Sequence, residues 1–262
     1  MRYIANVEVV ALCDAVGPMG EAIRRPLDEL FPGAAPELWD RVRAAEPDAF
    51  GPAGEWVLRF HCFLLRPPGG GTVLVDTGIG PEHSPAASWA PVPGRLVAAL
   101  AEIGVAPEDV GTVVLTHLHS DHAGGAVADG VPVFPNARHL VQERELSWLD
   151  AAGGPVLDGV VRPLREAGAL DAVAGGTVLA PGVRVLPTPG HTPGHQSVLV
   201  GDDELLVAGD LVLHPVQLAD PAVTYLYDED PAEAAATRAG LLARLGGGVL
   251  AAPHLPRPFV DV

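Results

Sequence analysis

The sequence predicts an α/β protein in which two similar layers pack together. Apolar runs rich in Val, Ile and Leu alternate with helical patterns, and the order strand hairpin, helix, strand occurs in each half of the chain. The 262 residues, 48% of them hydrophobic and 19% charged, are sufficient for one large domain or two small ones with a sizeable core. We expect a single domain over residues 1–262.

The first half begins with a strand over residues 3–12, which are rich in Val and Ile. A strong strand over 55–65, a Pro-Pro-Gly-Gly-Gly turn and the segment TVLVDTG form a predicted hairpin. Its second strand is apolar as far as Asp76, which indicates burial on both faces. An amphipathic helix over 94–104 then precedes a central strand at 113–115.

The second half repeats this order, with predicted strands at 183–188, 197–200 and 204–208. A helix then begins at Asp230-Pro231-Ala232-Glu233, where the cap, the proline and the acid three residues later form a capping-box pattern. Three glycines end the helix, and GVLAAPH is the final predicted strand.

Residues 18–54 are the segment that this pattern places least well. They contain many Pro and Gly residues and a short predicted helix at 36–45. We interpret the segment as a surface excursion, since most loops are only connections, with a lid over a site as the alternative.

The charge and composition of the chain limit the classes of partner that it can bind. The formal net charge is −17, and all 16 basic residues are arginine, scattered without a basic patch. Nucleic acid and anionic membrane surfaces are therefore not expected as partners. Two cysteines make no disulfide framework, the N-terminal apolar run is too short for a signal peptide, and no stretch approaches a membrane span. We expect a cytoplasmic protein that acts on a small molecule.

The segment THLHSDHAGG carries three histidines and an aspartate within six residues. Neutral imidazole and carboxylate are common ligands of divalent metal ions. His117 and His119 alternate on an extended chain, so both can bind one ion, and the glycine turn lets Asp121 and His122 reach a second.

Three further segments end in candidate ligands. In PGHTPGH we assign His191 as the ligand and interpret His195 as a packed or supporting histidine. Asp210 ends an apolar strand, where a buried carboxylate is costly unless it binds a cation, and His254 ends the last strand. Five histidines and two aspartates at strand ends are what a two-metal site requires.

This combination resembles the metallo-β-lactamase-fold hydrolases, whose motifs occur here in the family's order over residues 55–254. VDTG, with Asp76, is another of the family's marks. The resemblance implies a four-layer αββα sandwich with the site at one edge between two sheets. It assigns His117, His119 and His191 to one metal and Asp121, His122 and His254 to the other. Asp210 would bridge both metals, and Asp76 would steady a ligand histidine.

Within the family, the chain looks most like the quorum-quenching lactonases and the methyl parathion hydrolase-like proteins, through GDLVLHPVQLADPAVTYLYDEDP and APHLPRP. A position-210 cysteine would be expected of the β-lactamases with a cysteine ligand, a helical region after His254 of the glyoxalase branch, and a nuclease insertion of the RNA-processing branch. None of the three features is seen here, which disfavours those branches. Several lactonases place a tyrosine shortly after the bridging aspartate. Here that stretch is Leu211-Val212-Leu213-His214, and Tyr225 or Tyr227 would have to substitute.

The resemblance implies a hydrolase with two divalent ions that share a hydroxide and attack a small ester or lactone. Asp121 would pass a proton to the leaving group. Zinc is the default metal, and the same ligands accept iron, manganese or cobalt. The substrate pocket would involve the loops around Phe31–Phe50, His83–Trp89, Trp148 and His214–Tyr227. The alternatives are a thioesterase acting on a carrier-bound or CoA-linked acyl chain and a non-catalytic metal-binding scaffold.

Overall fold

The computed structural model describes residues 1–20 and 23–262 and contains two large β-sheets. The first sheet has seven strands in the order β1-β2-β3-β4-β5-β8-β9. Strands β1 to β4 are antiparallel neighbours, whereas β4, β5, β8 and β9 pair in parallel. In chain order the strands are β1 (Arg2–Ile4), β2 (Val7–Pro18), β3 (Val57–Arg66), β4 (Thr72–Val75), β5 (Val110–Val114), β8 (Arg138–Gln142) and β9 (Leu170–Val173). The short hairpin of β6 (Val127–Ala128) and β7 (Val131–Pro132) lies apart from this sheet.

The second sheet has six strands in chain order, and all its pairs are antiparallel except β13 with β14. Its strands are β10 (Thr177–Ala180), β11 (Val183–Pro187), β12 (Gln196–Val200), β13 (Leu205–Val207), β14 (Val249–Ala251) and β15 (Phe259–Asp261).

Among the residues described, eight α-helices connect the strands. They are α1 (Leu27–Leu30), α2 (Pro36–Ala45), α3 (Leu96–Glu102), α4 (Ser120–Ala123), α5 (Glu143–Ala152), α6 (Arg162–Glu166), α7 (Pro215–Ala219) and α8 (Pro231–Arg244). A π-helical turn, Leu157–Val161, leads into α6. No helix in the described part of the chain is long and apolar enough to cross a membrane.

Three buried clusters hold the layers together. Side chains of both sheets, such as Val9, Phe63, Val185 and Val198, pack between them. Helices α3, α5 and α6 cover the outer face of the first sheet, and the last turns of α8 cover the outer face of the second. This αββα arrangement confirms the predicted fold class, and burial of apolar surface on both faces of each sheet is its main stabilising contribution.

The predicted first strand is wrong in one respect, because it is two strands. Ile4 pairs with Val7 across a tight turn in which Ala5 and Asn6 both have positive φ. Asn tolerates this conformation better than most residues, but Ala is not typical of a turn. The sequence pattern therefore gave no sign that the strand is interrupted here.

Residues 18–54, of which 21 and 22 lie outside the described residues, contain α1 and α2. Leu30, Phe31 and Trp39 are buried against Trp56 of the sandwich and against Val216 of α7. The segment is therefore packed against the sandwich on the side where the candidate site lies.

Candidate metal centre

The seven predicted ligands come together at one edge of the sandwich, where four strands end. The THLHSDH segment follows β5, and the other three segments follow β11, β13 and β14. All seven side chains are buried except that of His119, which is partly buried. They are His117, His119, Asp121, His122, His191, Asp210 and His254.

Three imidazoles form the first group. The Nδ1 atom of His119 lies 3.0 Å from Nε2 of His117 and 3.0 Å from Nε2 of His191. The nitrogen atoms thus converge on one point, in contrast to the outward-facing side chains of a solvated histidine-rich loop. His119 uses Nδ1 where its two partners use Nε2.

A second group lies beside the first. Nε2 of His254 is 3.3 Å from Nε2 of His122, and Oδ2 of Asp121 is 3.4 Å from the first nitrogen and 3.5 Å from the second. Helix α4 begins just before Asp121, so two consecutive residues, Asp121 and His122, turn toward the same point.

Asp210 lies between the groups, with one oxygen facing each. Its Oδ2 is 3.2 Å from His191 and 3.8 Å from His117, whereas its Oδ1 is 3.1 Å from His122 and 3.2 Å from His254. Oδ1 is buried and has no hydrogen-bond partner within residues 1–20 and 23–262. A buried carboxylate oxygen without a hydrogen bond is costly unless a cation neutralises it.

The spacing of the donors fits a metal ion. Ligand nitrogens about 2.0–2.1 Å from a tetrahedral zinc ion lie about 3.3 Å apart, close to the separations within each group. Two such groups that share one carboxylate fit two ions. Neither group contains a sulfur donor, so the set suits zinc, iron, manganese or cobalt.

Burial favours the neutral form of two of the predicted ligand histidines. Burial, and then the neighbouring histidines, hold the pKa of His117 and that of His119 well below the usual range. The metal-binding form of imidazole is the neutral one, so these two side chains can bind an ion without losing a proton.

Around the second group, nearby carboxylates raise the pKa of a histidine instead of leaving it low. Burial lowers the pKa of His122, but Asp210, Asp121 and Asp76 outweigh it and raise that pKa well above its usual value. Burial also opposes ionisation of Asp210, yet His122 and the other facing histidines hold its pKa well below normal. The excess negative charge attracts protons here, and a divalent cation supplies the same compensation.

Asp76 orients His122, one of the predicted ligands, through its second ring nitrogen. Its Oδ2 accepts a hydrogen bond from Nδ1 of His122 at 2.8 Å, and both oxygens accept from Thr116, at 2.7 Å from the backbone N–H and 2.9 Å from the hydroxyl. The backbone of Asp76 is in the left-handed region with φ 62°, an uncommon conformation outside glycine. Such a carboxylate–histidine pair fixes the ring and its tautomer.

Asp228 does the same for His191, and sequence reasoning missed it. Oδ1 of Asp228 lies 2.8 Å from Nδ1 of His191, and Oδ2 accepts the N–H of Tyr225 at 3.1 Å. Its only sequence signal is a polar run after two tyrosines, which is also typical of an exposed turn.

Glu145 and His195 support the loops that carry the predicted ligands. Glu145 is fully buried and accepts the backbone N–H of Leu118 at 2.9 Å and that of Gly194 at 3.0 Å, so it joins the first two histidine motifs. Nε2 of His195 accepts the N–H of Asp210 at 3.0 Å, and burial lowers the pKa of His195 to about 3. His195 therefore holds Asp210 in place as a neutral acceptor.

A cavity of about 250 Å³ opens onto both groups. Its apolar wall consists of Met19, Ile23, Trp56, Leu58 and Leu213, with Trp89, Tyr225 and Tyr227 completing it. The predicted pocket loops therefore contribute Trp89 and the two tyrosines. The Phe31–Phe50 loop and Trp148 do not line the cavity, because Phe31 packs behind Trp56, at 5.3 Å between ring centroids.

Comparison with known proteins agrees with this geometry. A sequence model of the metallo-beta-lactamase superfamily matches residues 60–254, which include all seven clustered side chains. The chain belongs to the metallo-β-lactamase superfamily.

Curated relatives within the superfamily include N-acyl homoserine lactonases. One from a Bacillus species is 32% identical over 53% of this chain and 57% of its own length. The lactonase AttM of Azorhizobium caulinodans is 39% identical over 40% of this chain and 41% of its own length. The chain thus spans about half the length of the curated relatives that it matches.

Solved structures match almost the whole chain. The crystal structure of the hydrolase AbOPH is 28% identical, with a TM-score of 0.81 over 98% of this chain and 90% of that one. AidC, described as a dizinc quorum-quenching lactonase, is 21% identical with a TM-score of 0.77 over 98% of this chain and 91% of its own, which shows a shared fold.

Proposed function

We propose that this protein is a hydrolase that uses two divalent metal ions, zinc by preference, to cleave a small ester or lactone. The observation that carries the proposal is Asp210, whose two oxygens each face a separate group of ligands. A structural metal site needs no such bridge and leaves no cavity beside the ion, whereas here the cavity reaches both groups. The names of the curated relatives support the lactone or ester class.

Two divalent ions held there would supply a nucleophile from water near neutral pH and would polarise the substrate carbonyl. The seven clustered residues would hold the two ions close together, and the buried pairs Asp76–His122 and Asp228–His191 keep the rings oriented. Asp121 lines the cavity beside the second group, which supports our assignment of its carboxylate as the group that would pass a proton to the leaving alkoxide.

Tyr225 is the residue that would contact the substrate carbonyl. Its ring stacks against His191, with 6.1 Å between centroids and an interplanar angle of 29°, and it lines the cavity. Burial, and then Asp210 and Asp121, raise the pKa of Tyr225, so the phenol keeps its proton and can donate it in a hydrogen bond. Tyr227 is the weaker candidate, since its side chain is more exposed and its hydroxyl already donates to the carbonyl of Ile23 at 3.4 Å.

The cavity also constrains the substrate. At about 250 Å³ it is smaller than most cavities that bind drug-sized ligands, and its walls are largely apolar. We infer a substrate with a compact ester or lactone group at the metals and an apolar acyl part against Trp56, Leu58 and Leu213.

The test is hydrolysis by the metal-loaded protein of five substrates: an acyl-homoserine lactone, an aryl ester, an acyl thioester, a phosphotriester and a β-lactam. Each is measured with and without chelator. We expect chelator-sensitive turnover of the lactone or the aryl ester. Turnover of the thioester alone would replace the proposal by a thioesterase, and a protein that binds two metals but hydrolyses none of the panel would contradict it.

Two variants separate the metal centre from general damage. His117→Ala removes a ligand of the first group, and turnover should fall by more than about a hundredfold, since losing even the partner of a ligand costs 10–100-fold. Asp202→Asn changes an exposed carboxylate outside the cavity lining and should leave turnover unchanged. Tyr225→Phe should lower kcat/KM by about tenfold or more while both metals stay bound, because only the hydrogen bond to the substrate is lost.

A further inference from the structure

A groove of about 910 Å³ lies along α2 and is distinct from the metal cavity. Three arginines and several apolar side chains line it, among them Arg24, Arg25, Arg43, Leu27, Pro36 and Trp39. Within the described residues, the groove and the metal cavity have no lining residue in common. We name this surface the α2 groove.

The aromatic cluster around His214 separates the groove from the cavity. Trp39 lines the groove, Trp56 lines the cavity, and the ring centroid of His214 lies 5.4 Å from the former and 5.6 Å from the latter. His214 is fully buried, and burial lowers its pKa to about 3, so the cluster is an uncharged partition. A ligand in the groove would not contact the metal ions.

The three arginines are held in place while their charges stay available. Nε and Nη2 of Arg24 donate to the carbonyl of Met19 at 3.1 and 3.0 Å, Nη1 of Arg25 donates to the carbonyl of Arg24 at 2.8 Å, and the Arg43 guanidinium lies 4.4 Å from the centre of the Phe50 ring. Throughout residues 1–20 and 23–262, no carboxylate forms an ion pair with any of the three. Guanidinium groups whose remaining N–H donors are free are well suited to carboxylate and phosphate.

Three acidic residues also line the groove, and they balance the charge of its three arginines. The carboxylate of Glu55 accepts the N–H of Ala53 at 2.9 Å, whereas Asp28 and Asp40 are exposed. In a chain of net charge −17, a groove with as many cations as anions is less repulsive to an anion than the rest of the surface. Together with the apolar side chains of Leu27, Pro36 and Trp39, this favours a ligand with an anionic head and an apolar body.

We propose that the α2 groove is a second ligand site, which binds an amphipathic carboxylate or phosphate with its head at Arg24, Arg25 and Arg43 and its body against Trp39. The site is independent of the proposed hydrolysis, since no residue of the metal cavity takes part.

The probes are octanoate and octyl phosphate below their micellar concentrations, with octyltrimethylammonium as the cationic control. Binding is measured by tryptophan fluorescence and by calorimetry, on the metal-loaded protein and again after chelation. We expect saturable binding of both anions, at least about tenfold tighter than that of the cation, with affinity unchanged by chelation. Binding that disappears with the metal would place the carboxylate at the metal centre and overturn the proposal, as would equal affinity for the cation.

Matched variants locate the head group. Arg43→Ala and Arg25→Ala should each weaken binding of octyl phosphate by about tenfold. Arg41→Ala, on the same helix but outside the groove lining, should leave it unchanged. Arg43→Lys should retain part of the affinity, because the charge remains while the planar fork is lost. Equal effects of Arg41→Ala and Arg43→Ala would reduce the observation to nonspecific charge and overturn the assignment.

Discussion

The contact between Asp228 and His191 gives the sharpest prediction about the metal centre. Asp228→Asn keeps the shape of the side chain and one acceptor oxygen but removes the charge. The carboxylate serves two donors, Nδ1 of His191 at 2.8 Å and the N–H of Tyr225 at 3.1 Å, and the amide oxygen can serve only one. The amide NH₂ then faces the other donor, so either the ring of His191 or the loop at Tyr225 loses its support.

The expected cost is a 10–100-fold loss of affinity for one metal ion, about 1.4–2.7 kcal/mol. The loss should be confined to the ion that His117, His119 and His191 would hold, because Asp228 contacts no member of the other group in the described structure. Part of the loss is masked at neutral pH. Burial lowers the pKa of His191, but Asp210 and Asp228 raise it to about 9, so removing Asp228 also weakens the competing proton. The full difference should appear above pH 9.

The assay is competition between the protein and a coloured chelator, with metal content measured after dialysis, at pH 7 and above pH 9. Asp76→Asn is the corresponding variant at the second group, since Asp76 supports His122, and it should weaken binding of the other ion. Asp202→Asn, an exposed carboxylate, is the control. If Asp228→Asn bound both ions with wild-type affinity, or lost both equally, the carboxylate would not be what orients His191.

Three further predictions follow from the same geometry. Gly209→Ala should destabilise the protein by several kcal/mol and reduce its metal content. The residue has φ +56°, and the added Cβ would lie 2.6 Å from Nε2 of His195. Gly182→Ala is the control, with a positive φ but no atom within 4 Å, and it should lower the free energy of unfolding in urea by only about 1–2 kcal/mol. Glu145→Gln should cost about 1–3 kcal/mol in the same experiment, because one buried backbone N–H loses its acceptor, and an unchanged midpoint would refute that role. Metal binding at pH 7 should release a proton from His191, because the pKa of His191, about 9, lies above its value in the unfolded chain. Calorimetry in buffers of different ionisation enthalpy measures the number of protons released. By the same linkage, the stability that this proton gives the metal-free protein is fully present below about pH 6.5 and is lost as pH rises through 9.

The clustering of the candidate ligand histidines was accessible to sequence reasoning because their geometry is local. An apolar strand that ends in HxHxDH predicts both where the chain turns and which side chains alternate, and the same holds for Asp210 and His254 after their strands. The parallel strands β8 and β9 were not predicted, since a parallel pair is stabilised by its neighbours in the sheet and not by its own pattern.

What the sequence by itself determined is an α/β protein of two packed layers and the candidate ligands, because strand patterning and motif spacing are short-range properties; the αββα arrangement came from the resemblance of its motifs to the metallo-β-lactamase-fold hydrolases. Only the tertiary structure decided which groups stand behind the ligands. Asp228 reaches His191 across 37 positions and Glu145 joins Leu118 and Gly194 across 27 and 49, and no local pattern specifies which distant donor a buried carboxylate will meet. The same is true of residues 18–54, whose burial against Trp56 and His214 depends on the surface that the finished sandwich presents to them.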